Sequence, residues 1–156
     1  MADMDAVVAI ASRVHPALPE RREVLAEKLR LFPAACRKLV GGGTTCGYAL
    51  AHPWLLSSLP ALDALLISLP ADADCLFIHD VAVLPPARGF GAAAAYMANA
   101  EAIARAHGLP AIALIAAYGT ARLWRRFGFH APAAAPPAAK LAAYGAEARY
   151  LVHRLD

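Results

Sequence analysis

One stretch constrains the fold more than any other. Residues 75–84, Cys-Leu-Phe-Ile-His-Asp-Val-Ala-Val-Leu, read as a strand that Pro85-Pro86 must stop. A glycine-bearing turn, Arg88-Gly89-Phe90-Gly91-Ala92-Ala93, leads into a helix over residues 91–107. That helix carries Ala93, Met97, Ala100 and Ala104 on one face and ends at Gly108, a left-handed cap. Residues 111–117 follow as a wholly apolar, strand-sized run. A strand, a helix and a second strand in this order form a βαβ unit, whose strands lie parallel with helices on the sheet faces.

The flanks add antiparallel elements. Residues 4–14 and 20–32 read as two helices separated by the break His15-Pro16-Ala17-Leu18-Pro19. In the second, Leu25, Leu29 and Phe32 share a face, while Glu23, Glu27, Lys28 and Arg30 are expected to stay in water. Residues 35–40 and 44–52 form a hairpin about Gly41-Gly42-Gly43. Between prolines 53 and 70 lies a mixed segment with a candidate short helix at 61–68, placed where it would shape a substrate site. A short helix at 120–127, a Pro/Ala loop at 131–139 and a last strand at 149–155 complete the chain. The expectation is one α/β domain over residues 1–156, an α+β mixed sheet with flanking helices.

Composition removes several function classes. Alanine inflates the apolar fraction, and no stretch approaches the ~20 apolar residues of a membrane span. The acidic start, Met1-Ala2-Asp3-Met4-Asp5, lacks the basic and apolar regions of a signal peptide. Cys36, Cys46 and Cys75 have no paired spacing for zinc or a disulfide framework, so buried thiols in a reducing compartment are expected. A formal charge of +3, without basic runs carrying interleaved aromatics, gives no case for nucleic acid. The expected protein is soluble and cytoplasmic, without membrane, nucleic-acid or metal partners.

The turn at Arg88–Ala93 has a specific physical use. Backbone N–H groups at the start of a helix are unpaired, and the helix dipole adds partial positive charge there. Together they hold a phosphate or pyrophosphate, and small side chains at Gly91 and Ala93 let the anion approach. The spacing is not the GxGxxG of a dinucleotide fold, and Glu101 comes too early to meet a ribose. Gly41-Gly42-Gly43 lacks the following GK[ST] of a phosphate loop.

Residues 81–93 resemble the strand and acetyl-CoA loop of the GNAT superfamily of N-acetyltransferases. That family's loop reads Arg or Gln, two residues, Gly, one residue, then Gly or Ala, which Arg88, Gly91 and Ala93 satisfy. Thr120-Ala121-Arg122-Leu123-Trp124-Arg125-Arg126-Phe127-Gly128-Phe129 resembles the helix and Gly-Phe turn that closes the family's cofactor cleft. The likeness extends from residue 38 to 155. It implies a GNAT-like fold with splayed central parallel strands, an acetyl-CoA co-substrate and a small-molecule or peptide/protein amine as acceptor. By analogy it also allows a homodimer. It further implies that Val81 and Val83 pair with pantetheine, that Arg88, Gly89, Phe90, Gly91, Ala92 and Ala93 take the pyrophosphate, and that Trp124 packs beside the thiol. One of Arg122, Arg125 or Arg126 is a candidate for the adenosine phosphate, or simply a solvated helix face.

Acetyl transfer to an amine requires a deprotonated nucleophile, because an alkylammonium has a pKa near ~10. His79 and Asp80 are the candidates for that proton. Strict alternation puts Phe77, His79, Val81 and Val83 on one face and Asp80 on the other. His79 stands where many relatives carry a glutamate; a hydrogen-bonded core histidine is the open alternative. Asp80 fits an organising role behind it. The backbone N–H of Val83 is a candidate oxyanion donor. Relatives often carry a tyrosine where this chain has Trp124, whose indole is no proton-transfer acid. Tyr118 is then the candidate acid, or a wall of the cleft. Tyr48, His52 and Trp54 are candidates to line the acceptor pocket, or core aromatics of the hairpin. A CoA-binding module without catalysis is the competing function.

Overall fold

The computed structural model describes residues 3–134 and 136–156. Two helices come first, α1 (Met4–Val14) and α2 (Arg22–Leu31), followed by β1 (Arg37–Gly41) and β2 (Thr44–Trp54). Then come β3 (Cys75–Val83), α3 (Ala92–Ala106), β4 (Ala111–Ala116), the short helices α4 (Ala121–Arg125) and α5 (Ala138–Ala142), and β5 (Arg149–Arg154). The five strands form one sheet in chain order, antiparallel except for the β3–β4 pair. The expected mixed α/β architecture is therefore present, with the βαβ unit at its centre.

Helix packing follows the apolar spacing of each segment. Met4, Val7 and Ile10 of α1 and Leu25 of α2 are buried with Tyr48, Leu50 and Ala82 on one face of the sheet. On the other face, Tyr96, Met97, Ala100 and Ala104 of α3 cover Ala49, Ala51, Leu76, Ile78, Ile112 and Leu114. Ala100 and Ala104 are fully buried. Their small side chains let α3 lie close to the strands it connects.

Two features of α2 and the segment after β2 depart from expectation. Residues 61–68 form no helix: Asp63 and Ile67 have φ of 53° and 68°, in the left-handed region a helix does not use. Instead the segment straps across α2. Glu27 accepts from the Leu66 and Ile67 amides at 2.7 and 2.9 Å, and Lys28 Nζ donates to the Ala64 carbonyl at 3.0 Å. Arg21 donates to Asp63 from its backbone N–H (2.7 Å) and its Nε (2.9 Å). Glu27 and Lys28, expected in water, are thus buried beneath the strap. Sequence spacing on α2 alone could not show a covering loop. The polar face is satisfied by backbone groups rather than solvent.

Candidate active site

Strand pairing around β3 opens a gap. On one side, β3 stays paired with β2 from Cys75 to Val83. On the other, its parallel pairing with β4 runs only from Leu76↔Ile112 to Ile78↔Leu114. Beyond that point β4 follows β5, through Ile115↔Tyr150 and Ala116↔Arg149. The two central strands therefore separate after Ile78.

Backbone orientation in the gap follows from one bond. The Leu84 amide donates to the Cys46 carbonyl at 2.9 Å, which makes Gly47↔Val83 a pair without mutual hydrogen bonds. Val83, and Val81 two residues earlier, then direct their amide and carbonyl groups away from β2, towards the opening. Arg88 Nε reaches back to the Val83 carbonyl at 2.8 Å. The Val81 groups and the Val83 amide face the gap.

A register shift between Leu50 and Ala51 leaves His79 as an extra residue on β3: Leu50 opposes Asp80, and Ala51 opposes Ile78. A bulge places two successive side chains towards the same side. This corrects the strict alternation expected from sequence. Val81 packs with Leu76 and Ile78 against the α3 side. His79 and Asp80 both turn to the link between α1 and α2. His79 Nε2 lies 2.8 and 3.0 Å from the Glu20 carboxylate oxygens. Asp80 accepts from the Tyr48 hydroxyl, and its other oxygen lies 2.7 Å from His15 Nε2. Burial works against a charged His15, but contact with Asp80 and the nearby Glu20 more than offset it, so its pKa lies above the ordinary value. Tyr48 is held protonated by burial and by the Asp80 charge, its pKa raised far above that of a free phenol.

His15, Glu20, His79 and Asp80 border a cavity of about 990 Å³ that runs along the gap. One end is formed by Val81, Val83, Arg88, Gly89, Gly91–Ala94, Leu123, Trp124, Arg126 and Phe127. Gly89 and Gly91 have φ of 85° and 82°, and a Cβ on either would point into open space. Ala95 makes the first helical bond of α3, to the Gly91 carbonyl at 3.0 Å, so the amides before it are free of the helix. Trp124 is buried against Phe127 and Phe129. Its wall is braced by the Gly128 turn, which His153 backs with Nδ1 3.3 Å from the Gly128 carbonyl.

The other end gathers His15, Leu18, Pro19 and Glu20 with His79, Asp80, Leu62, Tyr118 and Tyr144. Tyr118 has φ of 54°, unusual for a residue with a side chain, and stacks on His15 with ring centroids 5.7 Å apart. Of the sequence-derived candidates, His79, Asp80, Tyr118, Val81, Val83, Arg88, Gly89, Gly91, Ala92, Ala93 and Trp124 all border the cavity. Phe90 is exposed beside it. Tyr48, His52 and Trp54 do not line it. Tyr48 reaches the site only through Asp80. His52 is fully buried among Trp54, Phe77 and His79, with its pKa pushed down to about 3 by burial and the neighbouring His79. Sequence spacing does not single out His15 and Glu20. Their only local signal is two polar residues bracketing a proline break, which many surface turns share.

The sequence from residue 12 to 129 matches the profile of the acetyltransferase (GNAT) family. The chain belongs to that family. Known structures agree in fold with this GNAT protein. N-acetylglutamate synthase from Neisseria gonorrhoeae, complexed with coenzyme A and N-acetyl-glutamate, is 20% identical with a TM-score of 0.74. That match covers 100% of this chain but only 34% of the synthase, so the chain spans about a third of it. Ard1 from Thermoplasma volcanium is 14% identical, with a TM-score of 0.73, over 99% of this chain and 93% of its own. The GphF GNAT-like decarboxylase in complex with isobutyryl-CoA is 18% identical, with a TM-score of 0.72, over 99% and 96%. No curated protein matches the sequence. Among the described residues, no helix is long and apolar enough to cross a membrane.

Proposed function

We propose that this protein transfers the acetyl group of acetyl-CoA directly to an amine. The observation that carries the reading is the free edge of β3, with Val81 and Val83 backbone groups facing the gap and a run of unpaired loop amides at its end. An extended amide-bearing chain fits such an edge as an added strand, and a pyrophosphate fits the amides of Gly89–Ala93. Neighbours solved with coenzyme A or isobutyryl-CoA support a CoA-type ligand.

The chemistry then divides among this chain's residues. An acceptor ammonium gives one proton to the histidine–carboxylate groups, Glu20 with His79 and Asp80 with His15. The amine nitrogen bonds to the acetyl carbon as the carbon–sulfur bond breaks, with the Val83 amide donating to the carbonyl oxygen. The nitrogen loses its second proton and the thiolate gains one, with the Tyr118 hydroxyl as its donor. Net, an ammonium and a thioester become an amide, a thiol and one released proton. Thiol release from acetyl-CoA across a panel of amines tests the reading. Release with an amine supports it; tight CoA binding without release from any amine supports a silent CoA-binding module, the reading that Trp124 in place of a phenol favours. A nucleotide stabilising the fold more than CoA would overturn both.

A further inference from the structure

The acceptor end of the cavity has an uneven chemistry. Its acids are Glu20 and Asp80, with side chains only 10% and 13% exposed. Lysine and arginine along the cavity are represented by Arg88 and Arg126, both at the end with the glycine turn and Trp124. Arg88 is further tied to the Val83 carbonyl. Lys28 lies behind the strap with its ammonium on the Ala64 carbonyl, and it does not border the cavity. His79 borders the acceptor end almost fully buried, and among the described residues its Nδ1 has no hydrogen-bond partner. With Nε2–H donating to Glu20, the His79 Nδ1 lone pair is open to accept a hydrogen bond from a ligand. Around these groups the lining is apolar: Leu18, Pro19, Leu62, Phe77 and Ile115. Tyr144 closes it, because its hydroxyl donates to the Pro60 carbonyl at 2.7 Å and ties the strap to the segment after α5.

Resting on the acetyl-transfer reading, we infer that the acceptor is a small primary monoamine on an apolar body that carries no carboxylate. Its ammonium is received between Glu20 and Asp80, and its body lies against Leu18, Leu62 and Tyr144. A free amino acid would set its carboxylate against Glu20 and Asp80, while the nearby cations are already engaged, Arg88 with the Val83 carbonyl and Lys28 with the Ala64 carbonyl, so the net contact is repulsive. A polyamine would place its further cations against apolar side chains and lose their hydration without compensation. An extended peptide would meet the tied strap.

The test compares 2-phenylethylamine with phenylalanine, which share ring and amine and differ by the carboxylate. Spermidine and a short peptide with a free N-terminus form the other arms. Thiol release should give 2-phenylethylamine a kcat/KM at least about tenfold above each of the others. A smaller ratio, or preference for any of the three, overturns the assignment. Glu20→Gln removes one acid with little change in shape, so it should narrow the amine-to-amino-acid ratio; an unchanged ratio overturns the electrostatic basis. A CoA-induced rise in Tm shows that this variant remains folded. If no amine releases thiol although CoA binds, the transfer reading fails on its own. The acceptor assignment is then decided by Tm in the presence of CoA. A further rise with 2-phenylethylamine and none with phenylalanine supports it, and any other pattern overturns it.

Discussion

The two ends of the cavity are built from different material. The end proposed to hold CoA uses backbone: the turned-out groups of Val81 and Val83, the amides after Gly89, and residues small enough to expose them. The end proposed to receive the amine uses side chains from separate parts of the chain: the α1–α2 link, the bulge of β3, the strap at Leu62, Tyr118 after β4, and Tyr144. A backbone site tolerates almost any sequence that keeps its dihedrals. A side-chain site depends on each partner, and so is where one family can diversify its acceptors.

The largest effect should come from breaking the backbone end at one dihedral. Gly91 has φ of 82°, and a Cβ added there meets no neighbouring atom, so the backbone is the first thing Gly91→Val strains. The substitution forces a β-branched residue into the left-handed region, at a cost of about 1–2 kcal/mol, and points a side chain where the anion would lie. CoA affinity by calorimetry should fall by more than about tenfold, and turnover should fall below detection. Wild-type affinity in Gly91→Val would move the pyrophosphate site elsewhere.

At the side-chain end, Asp80→Asn should lower kcat by about a hundredfold while leaving CoA affinity unchanged. The same variant tests the His15 pair through pH. The His15 pKa is raised in the folded state, so the pair stabilises the protein fully below the unfolded value of 6.5 and loses that stabilisation as pH rises through the folded value. Denaturation at a series of pH values should show this loss in wild type and not in Asp80→Asn. Identical profiles would remove the His15–Asp80 contact from the account of the site.

Tyr118→Phe is expected to be milder, about tenfold in kcat. A CoA thiol is itself acidic enough, with a pKa near ~8.5, that proton donation only assists its departure. The stacked ring on His15 is retained in the variant. An unchanged rate would leave Tyr118 as a wall of the cleft.

The same division explains what could be read in advance. The βαβ unit, the glycine turn and the Trp124–Phe129 segment are local in sequence, and each maps onto the element expected of it. The acceptor end was legible only at His79, Asp80 and Tyr118. Their partners depend on contacts from His79 to Glu20 and from Asp80 to His15, which no spacing encodes. The bulge at His79 was equally silent, because an inserted residue leaves an apolar strand pattern that still looks regular. Glu27 and Lys28 resembled a wet helix face because the strap that covers them lies more than thirty residues away.

His52 marks the boundary between the two kinds of residue and carries the smallest expected effect on rate. It lies one strand away from His79, with ring centroids 6.0 Å apart, yet it is wholly buried and accepts no place in the cavity. Burial, with the neighbouring His79 assisting, holds its pKa down to about 3. A histidine neutral in the fold but basic when unfolded stabilises the protein above its unfolded pKa of 6.5 and destabilises it as pH falls from there towards 3. His52→Phe keeps a ring against Trp54 and Phe77 and removes the titrating group. Turnover at neutral pH should stay within about twofold of wild type, because the ring touches no reacting atom. Chemical denaturation should show the variant losing less stability than wild type between pH 6.5 and 4. If turnover collapses instead, with the Tm at neutral pH unchanged, His52 acts on the acceptor through His79, and the side-chain end of the cavity extends one strand deeper than its lining shows.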